Sequence, residues 1–492
     1  MYVSFCYCFA NVVGYRSHVC WHVFGLLHRS DRNYNEAIKA YKQALRIDPD
    51  NLQILRDLSL LQIQMRDLHG FVKTRHTILN FKPNNKIHWL AFALSKNLVG
   101  DKEGALNVID IYLGTLGENS PDKMRGFESG ELSLYKNSLL EGRVALEHLE
   151  ECKDLVVDVS AWMQGKGKIE LGLGMWEEAK GSYLALMRRG ETENYAIHNG
   201  YMCAVLQCPF AEVRAADTLA TIKVLSSEER RRVLEGYERD VMPINPKSYA
   251  VRRIPLTLLD GEELRGAIGT YCRQSLQRGV PSLGSDLSAL LLVEDGKGGL
   301  IRIKDPVDIK VHPTFIMITK LVDDYITSLE EKSCFPGEEV EQPPSTLLWT
   351  WYLRAYLYKL SGTYKSALVL MDKCLDHTPT AVDVYELKAR LLKLSGDISQ
   401  AADVLDVGRE LDKQDRYINN KTTKYMLQAD REDVARERVA LFTRHEGNPE
   451  QNLFDMQCTW YELELARSYA RTGDWGKSLK KFCKFHNPTI PF

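Results

Sequence analysis

The chain has 492 residues, 44% of them apolar and 26% charged, with a mean hydropathy of −0.29. Length alone suggests about three ordinary domains with ample material for a buried core. The 64 Lys and Arg against 66 Asp and Glu leave a formal charge of −2 and a pI near 6.7. Bulk attraction to nucleic acid or anionic lipid is thereby excluded, and any polyanion site must be a local patch. The 11 cysteines follow no spacing pattern, so they read as reduced thiols of a cytoplasmic protein rather than a disulfide framework.

At the start of the chain, Met1–Tyr15 is apolar and uncharged, but Arg16 and His18 interrupt it before the roughly 20 residues a membrane helix needs. Neither the basic first region nor the small-residue cleavage site of a signal peptide is clear. Residues 1–17 therefore stand apart as an atypical N-terminal segment, and no membrane partner is expected. From His18 onward a 34-residue period takes over. Pro49 and Pro83 are 34 apart; taking Pro49 as position 32 puts Trp21 at position 4, Gly25 at 8, Ala37 at 20 and Tyr41 at 24. That is the tetratricopeptide (TPR) pattern, a pair of helices per unit. Small residues at 8 and 20 let the two helices approach, and large residues at 4, 7 and 24 fill the gaps. The phase returns at Trp89 and Ala105, at Gly167, Ala179 and Tyr183, at Gly362 and Gly396, and at Ala367, Ala401 and Ala435.

The expected fold is thus all-α, a TPR-type helical-repeat solenoid, with an N-terminal array over 18–240 and a C-terminal array over 348–492. Between them, 241–347 is divergent. Its stretch 283–317 contains Ile301/Ile303 and Val307/Ile309/Val311, alternating about Asp305-Pro306 as strands do, which predicts a strand-like surface insertion or a segment that never orders. Residues 336–344 (PGEEVEQPP) read as a loop.

No catalytic constellation survives this register. HExxH, GxxxxGK[ST], GxSxG and paired CxxC are all absent from the sequence. His18, Cys20 and His22 diverge around one helix, which argues against a metal site. Gln164-x-x-Gly167 begins an acetyl-CoA pyrophosphate motif but meets Ile169 where Gly or Ala is required. What a solenoid offers instead is the face of its first helices. The clamp positions that hold C-terminal carboxylates in chaperone adaptors carry His22, Leu26, Asp57, Ile87 and Ala91 in the first units, without Lys or Asn. Near the C-terminus, Lys421 and Lys424 share a helical face, Arg467 and Arg471 occupy the next unit, and Arg444 lies in the connection. They read either as solvated surface charge or as a polyanion pocket.

Several segments go beyond any TPR requirement: SHVCWHVFGLLHRSDRNYNEAIKAYKQALRIDPDNLQILRDLSLLQIQMRD (17–67), VRRIPLTLL (251–259), PPSTLLWTWYL (343–353), DRYINNKTTKYML (415–427) and DMQCTWYELELARSY (455–469). In these the chain resembles the auxiliary, TPR-built large subunit of the N-terminal acetyltransferase A complex. The resemblance implies a non-catalytic scaffold that wraps a GNAT-fold catalytic subunit, tethers it to the ribosome and promotes co-translational acetylation of nascent chains. Acetyl-CoA would enter only through that partner, and sequence-specific nucleic acid is not expected. The family also holds inositol hexakisphosphate between its subunits. Lys421 and Lys424 match the family's basic positions, as does the segment around Arg444, whereas Arg467 and Arg471 rest on their place in the groove. Family members carry further repeats before Ser17 and after the last unit, so the chain resembles a shortened version lacking the N-terminal repeats that face the ribosome. The other reading is a general TPR adaptor with an unrelated partner.

Overall fold

The computed structural model describes residues 17–117, 120–214, 217–444 and 447–486; residues 1–16, and so nearly all of the apolar N-terminal segment, lie outside them. The chain divides into two compact units, Met1–Gly190 with Gln207–Phe210, and Glu191–Leu206 with Ala211–Phe492. No helix among the described residues is long and apolar enough to cross a membrane.

The first unit is a run of antiparallel helix pairs: His18–Ser30 with Tyr34–Ile47, Leu52–Gln64 with Leu68–Phe81, Lys86–Leu98 with Lys102–Thr115, Phe127–Leu139 with Gly142–Glu151, and Val159–Gly172 with Trp176–Arg188. Side-chain caps start many of them: Asn51 accepts from Ile54 N at 3.2 Å, Asp101 from Gly104 N at 2.8 Å and Asp158 from Ala161 N at 2.9 Å. Between the two helices of a pair, position 15 turns left-handed in every regular pair but Phe127–Leu139 with Gly142–Glu151, where the turn is shorter and Gly142 itself holds φ +61°. Glycine takes it at Gly100, Gly174, Gly362, Gly396 and Gly473, with φ between +70° and +99°, whereas Arg32, Arg66 and Asp430 hold φ of +58° to +59° there.

Packing within a pair follows the expected small-to-large match. Ala37, Ala105, Ala179, Ala367, Ala401 and Ala435, all at position 20, are completely buried. A methyl group on Gly167 would lie 2.9 Å from the Tyr183 ring, and one on Gly25 would overlap the Tyr41 ring. Position 4 has a second task. Trp89 Nε1 donates to the Pro83 carbonyl at 2.6 Å and Tyr385 OH to the Pro379 carbonyl at 2.8 Å, each tying a repeat to the proline that ends the one before. The cores are correspondingly local, each cluster spanning one to three neighbouring pairs.

The second unit opens irregularly. Ser227–Gly236 runs into a π-helical turn at Tyr237–Val241, followed by Tyr249–Arg253, a 3-10 turn at Ile254–Thr257 and the longer helices Gly261–Arg278 and Pro313–Lys332. Residues 283–317 form defined elements, anchored in the core at several points while Val293, Ile301, Val307 and Val311 stay exposed at the surface. Leu283, Leu287, Leu290, Leu291 and Ile309 pack with Ile268, Phe315 and Leu353. Strands β1 (Leu292–Glu294) and β2 (Leu300–Arg302) form an antiparallel hairpin with Val293 opposite Ile301. The expected strand over Val307–Val311 is instead a helix, Pro306–Val311. Asp305 caps it, accepting from Val307 N at 2.8 Å, and Pro306 fills the first position. An alternating apolar pattern is overruled there by a capping pair that supplies a helix start. The 336–344 loop is pinned rather than free, with Glu338 held by Arg273 at 2.7 Å and Gln342 by Gln277 at 2.9 Å. Four regular pairs follow: Pro344–Leu360 with Tyr364–His377, Val382–Leu394 with Ile398–Leu411, Arg416–Gln428 with Glu432–Ala440, and Thr459–Arg471 with Trp475–His486.

Candidate functional site

The first helices of these four pairs carry the candidate site. Spacings of four and three residues place Tyr417, Lys421, Lys424 and Gln428 on one face of Arg416–Gln428, and Glu386, Arg390 and Lys393 on one face of Val382–Leu394. The two faces meet. Lys421 Nζ bonds Glu386 and also donates to Tyr417 OH at 3.0 Å, and Tyr417 OH donates to Glu386 at 3.0 Å. Lys393 Nζ donates to Gln428 Oε1 at 2.6 Å and lies 4.8 Å over the Tyr425 ring. From the following helix, nearly buried Glu464 accepts from Gln428 at 3.3 Å, stands 3.6 Å from Lys424 and receives Arg467 at 3.1 Å.

Of the five residues singled out in the sequence, Lys421, Lys424 and Arg467 therefore share one network. Arg471 lies one turn from Arg467 but is engaged elsewhere, with Asp430 at 2.8 Å and the Leu427 carbonyl at 2.8 Å, where it closes the end of the preceding helix. Arg444 is exposed after the Glu432–Ala440 helix and makes no ion pair among the described residues. Carboxylates Glu386, Glu464 and Asp430 answer four of the five, and only Arg444 has none among the described residues.

Three further basic residues join the face. Lys359, at the end of Pro344–Leu360, is 8% exposed and sits 3.3 Å over the Tyr356 ring. Burial first, and then Arg390 and Lys421, push its amine down to about 7, against the pull of Glu386. Burial and the neighbouring Lys424, Lys421 and Arg390 likewise lower Lys393, with Glu464 opposing. Lys421 goes the other way: burial disfavours its charge, but the bonds to Glu386 and Tyr417 outweigh that and raise it. Lys359, Arg390 and Lys393 fall at positions 12, 9 and 12 of their units. A search confined to the clamp positions passes over them; the same register read at 9 and 12 finds them. Six cations (Lys359, Arg390, Lys393, Lys421, Lys424, Arg467) face Glu386, Glu464 and, one turn before Glu386, Asp383. The face keeps a local positive excess on a chain that is nearly neutral.

Elsewhere the chemistry is spare. His22 bonds Asp57 at 2.9 Å and His18 approaches Asp48 at 3.6 Å, and no group of three or more metal-ligating side chains occurs among the described residues. Gly167, the end of the incomplete acetyl-CoA motif, lies mid-helix against Tyr183, where no phosphate loop exists.

With this geometry in hand, the chain's relatives are informative. The family described as "N-terminal acetyltransferase A, auxiliary subunit" matches residues 127–488, and a TPR repeat matches 25–65. The N-terminal acetyltransferase A complex auxiliary subunit NAA15 of Arabidopsis thaliana is 41% identical over 95% of this chain and 49% of its own length. The N-alpha-acetyltransferase 16, NatA auxiliary subunit, of Homo sapiens is 35% identical over 95% and 50%. The solved structure of Naa15/Naa10 bound to HypK-THB superposes with a TM-score of 0.76 at 30% identity, covering 95% of this chain and 64% of the matched one. The chain spans about half the length of these curated relatives. A match over nearly three quarters of its residues, on a repeat fold of the same kind, decides its kinship: the chain belongs to the auxiliary-subunit family of N-terminal acetyltransferase A.

Proposed function

We propose that the chain acts as a non-catalytic scaffold in an N-terminal acetyltransferase A complex, holding a GNAT-fold catalytic subunit and promoting co-translational acetylation of nascent N-termini. The observation that carries this reading is the superposition on the Naa15/Naa10 structure at 30% identity. Among the described residues the helical repeats supply a surface without a phosphate loop for acetyl-CoA, and acetyl-CoA would enter only with the partner. Ribosome contact and a cytoplasmic location follow from the family reading rather than from any residue described above.

The same reading assigns the basic face to inositol hexakisphosphate, and the donor set fits. Lys359 has an amine that meets an aromatic ring and, among the described residues, no acceptor, Arg390 and Lys393 stand beside it, and Lys421 and Lys424 are one turn apart. These groups, with Arg467, would hold the phosphates by charge-assisted hydrogen bonds, while Arg471 serves the fold. When bound, the ligand supplies negative charge alone. Affinity purification of the chain from its native cells tests the central claim. A co-purifying GNAT-fold subunit, with acetyl transfer to peptide N-termini by the pair and none by the chain alone, is the expected result. Recovery of an unrelated partner without acetyltransferase activity would leave a general TPR adaptor instead.

A further inference from the structure

Away from the basic face, the second unit contains a cavity of about 400 Å3, walled by Tyr195, the short helices Leu219–Ile222, Tyr249–Arg253 and Leu283–Ser288, Tyr271 and β2. That volume belongs to the range of small-molecule sites rather than to packing gaps. Of the 14 residues that line it, all but Ile254, Val280 and Ala289 carry a polar group. Arg253, 8% exposed, directs Nε and Nη2 to the Asp286 carbonyl at 3.1 and 2.9 Å, and no carboxylate stands within ion-pair distance of it among the described residues. A buried guanidinium answered by one peptide oxygen is an expensive arrangement. A second cation, Arg302, reaches the wall from β2; it is half exposed and held by Asp217 at 2.8 Å, so it can turn inward without unfolding anything.

The carboxylate of the wall is also underused. Asp286 accepts a single long bond, from Tyr271 OH at 3.3 Å, and burial pushes its carboxyl above the usual range despite Arg253. Thr218 is 1% exposed, lines the cavity at the start of Leu219–Ile222, and caps that helix. A buried cation such as Arg253, answered only by a peptide oxygen, ordinarily marks a missing partner. An apolar ligand would leave Arg253 and Asp286 unsatisfied, and a bare anion would answer Arg253 but not Asp286.

We propose that this cavity binds a phosphorylated polyol of about hexose size. Its phosphate is received by Arg253 and Arg302, which offer two planar forks to one dianion. Its hydroxyls donate to Asp286 and pair with the Tyr195, Thr218 and Tyr271 hydroxyls. The site is separate from the basic helix face and does not depend on the scaffold function.

Calorimetry on the full chain with glucose 6-phosphate, glucose and inorganic phosphate tests the assignment. Glucose 6-phosphate should bind one to one, at least tenfold more tightly than either of its parts. Arg253→Met should weaken it by tenfold or more. Ser285→Phe, at an exposed position on the wall, should block the cavity while helicity is retained, and it decides the matter if Arg253→Met does not fold. Lys421→Glu/Lys424→Glu should leave this binding unchanged. The proposal is overturned by no saturable heat with glucose 6-phosphate, by equal affinity for inorganic phosphate, by undiminished binding in folded Ser285→Phe, or by loss of binding in the lysine variant.

Discussion

Two glycines in neighbouring helices should respond to the same substitution with opposite signs. Gly181 lies on the exposed side of Trp176–Arg188, and a methyl group there meets nothing within 4 Å. Gly181→Ala should therefore show only the helix-propensity gain, about 0.5–1 kcal/mol of added stability. Gly167→Ala carries the same gain but sets its methyl group 2.9 Å from Tyr183 Cζ, and Tyr183 is 1% exposed with no room to swing away. Overpacking of this kind costs about 1–3 kcal/mol, so the net should be a loss of up to about 2.5 kcal/mol. The assay is urea unfolding followed by far-UV circular dichroism, with the Gly167→Ala change repeated in a Tyr183→Leu background. There the clash is gone and the substitution should turn neutral or stabilising, a coupling that distant sites would not show. If both glycine variants move the midpoint in the same direction, or the Tyr183→Leu background changes nothing, the close approach of the two helices is not what places glycine at position 8.

Further expectations rest on other features. Arg66 is exposed and left-handed, so Arg66→Gly should stabilise the chain by about 0.5–1 kcal/mol in the same melts, whereas destabilisation would mean its side chain bears a contact. Lys359 has a folded pKa near 7 against 10.5 for an ordinary lysine, so its penalty is complete below pH 7 and fades as pH rises from 7 towards 10.5. Stability should rise over that window and Lys359→Met should flatten the rise; an unchanged slope in the variant would assign it to other groups. Inositol hexakisphosphate should bind with proton uptake near pH 7.5, seen as a buffer-dependent calorimetric heat that Lys359→Met abolishes. Lys421→Glu/Lys424→Glu should weaken that binding and its salt dependence at constant helicity, and equal affinity in the variant would reduce the face to solvated surface.

The repeat register was legible because its determinants are local or recur at fixed offsets. Gly167 and Tyr183 sit 16 residues apart in one pair, and Trp89 reaches only six residues back to Pro83. The left-handed turn was legible where glycine holds it and hidden at Arg32, Arg66 and Asp430, since tertiary context imposes there what composition does not announce. The 306–311 helix was misread because alternation and a capping pair compete over six residues, and the cap wins. In the basic face, the lysines and the nearby Glu464 could be found from the sequence, but Glu386, which meets Lys421 across 35 residues, could not. A sequence read one unit at a time does not see contacts made between units.

Those interleaved carboxylates have a consequence for selectivity. A ligand arriving at the basic face finds the two foremost lysines already matched, Lys421 by Glu386 and Lys424 by Glu464. A singly charged anion only exchanges one ion pair for another and gains little. A ligand bearing many phosphates can engage several cations at once, including Lys359, Arg390 and Lys393, which no carboxylate within ion-pair distance occupies among the described residues. On the proposed reading of the face as a polyanion site, the glutamates would set a threshold on ligand valence, favouring dense polyanions over chloride or monophosphate.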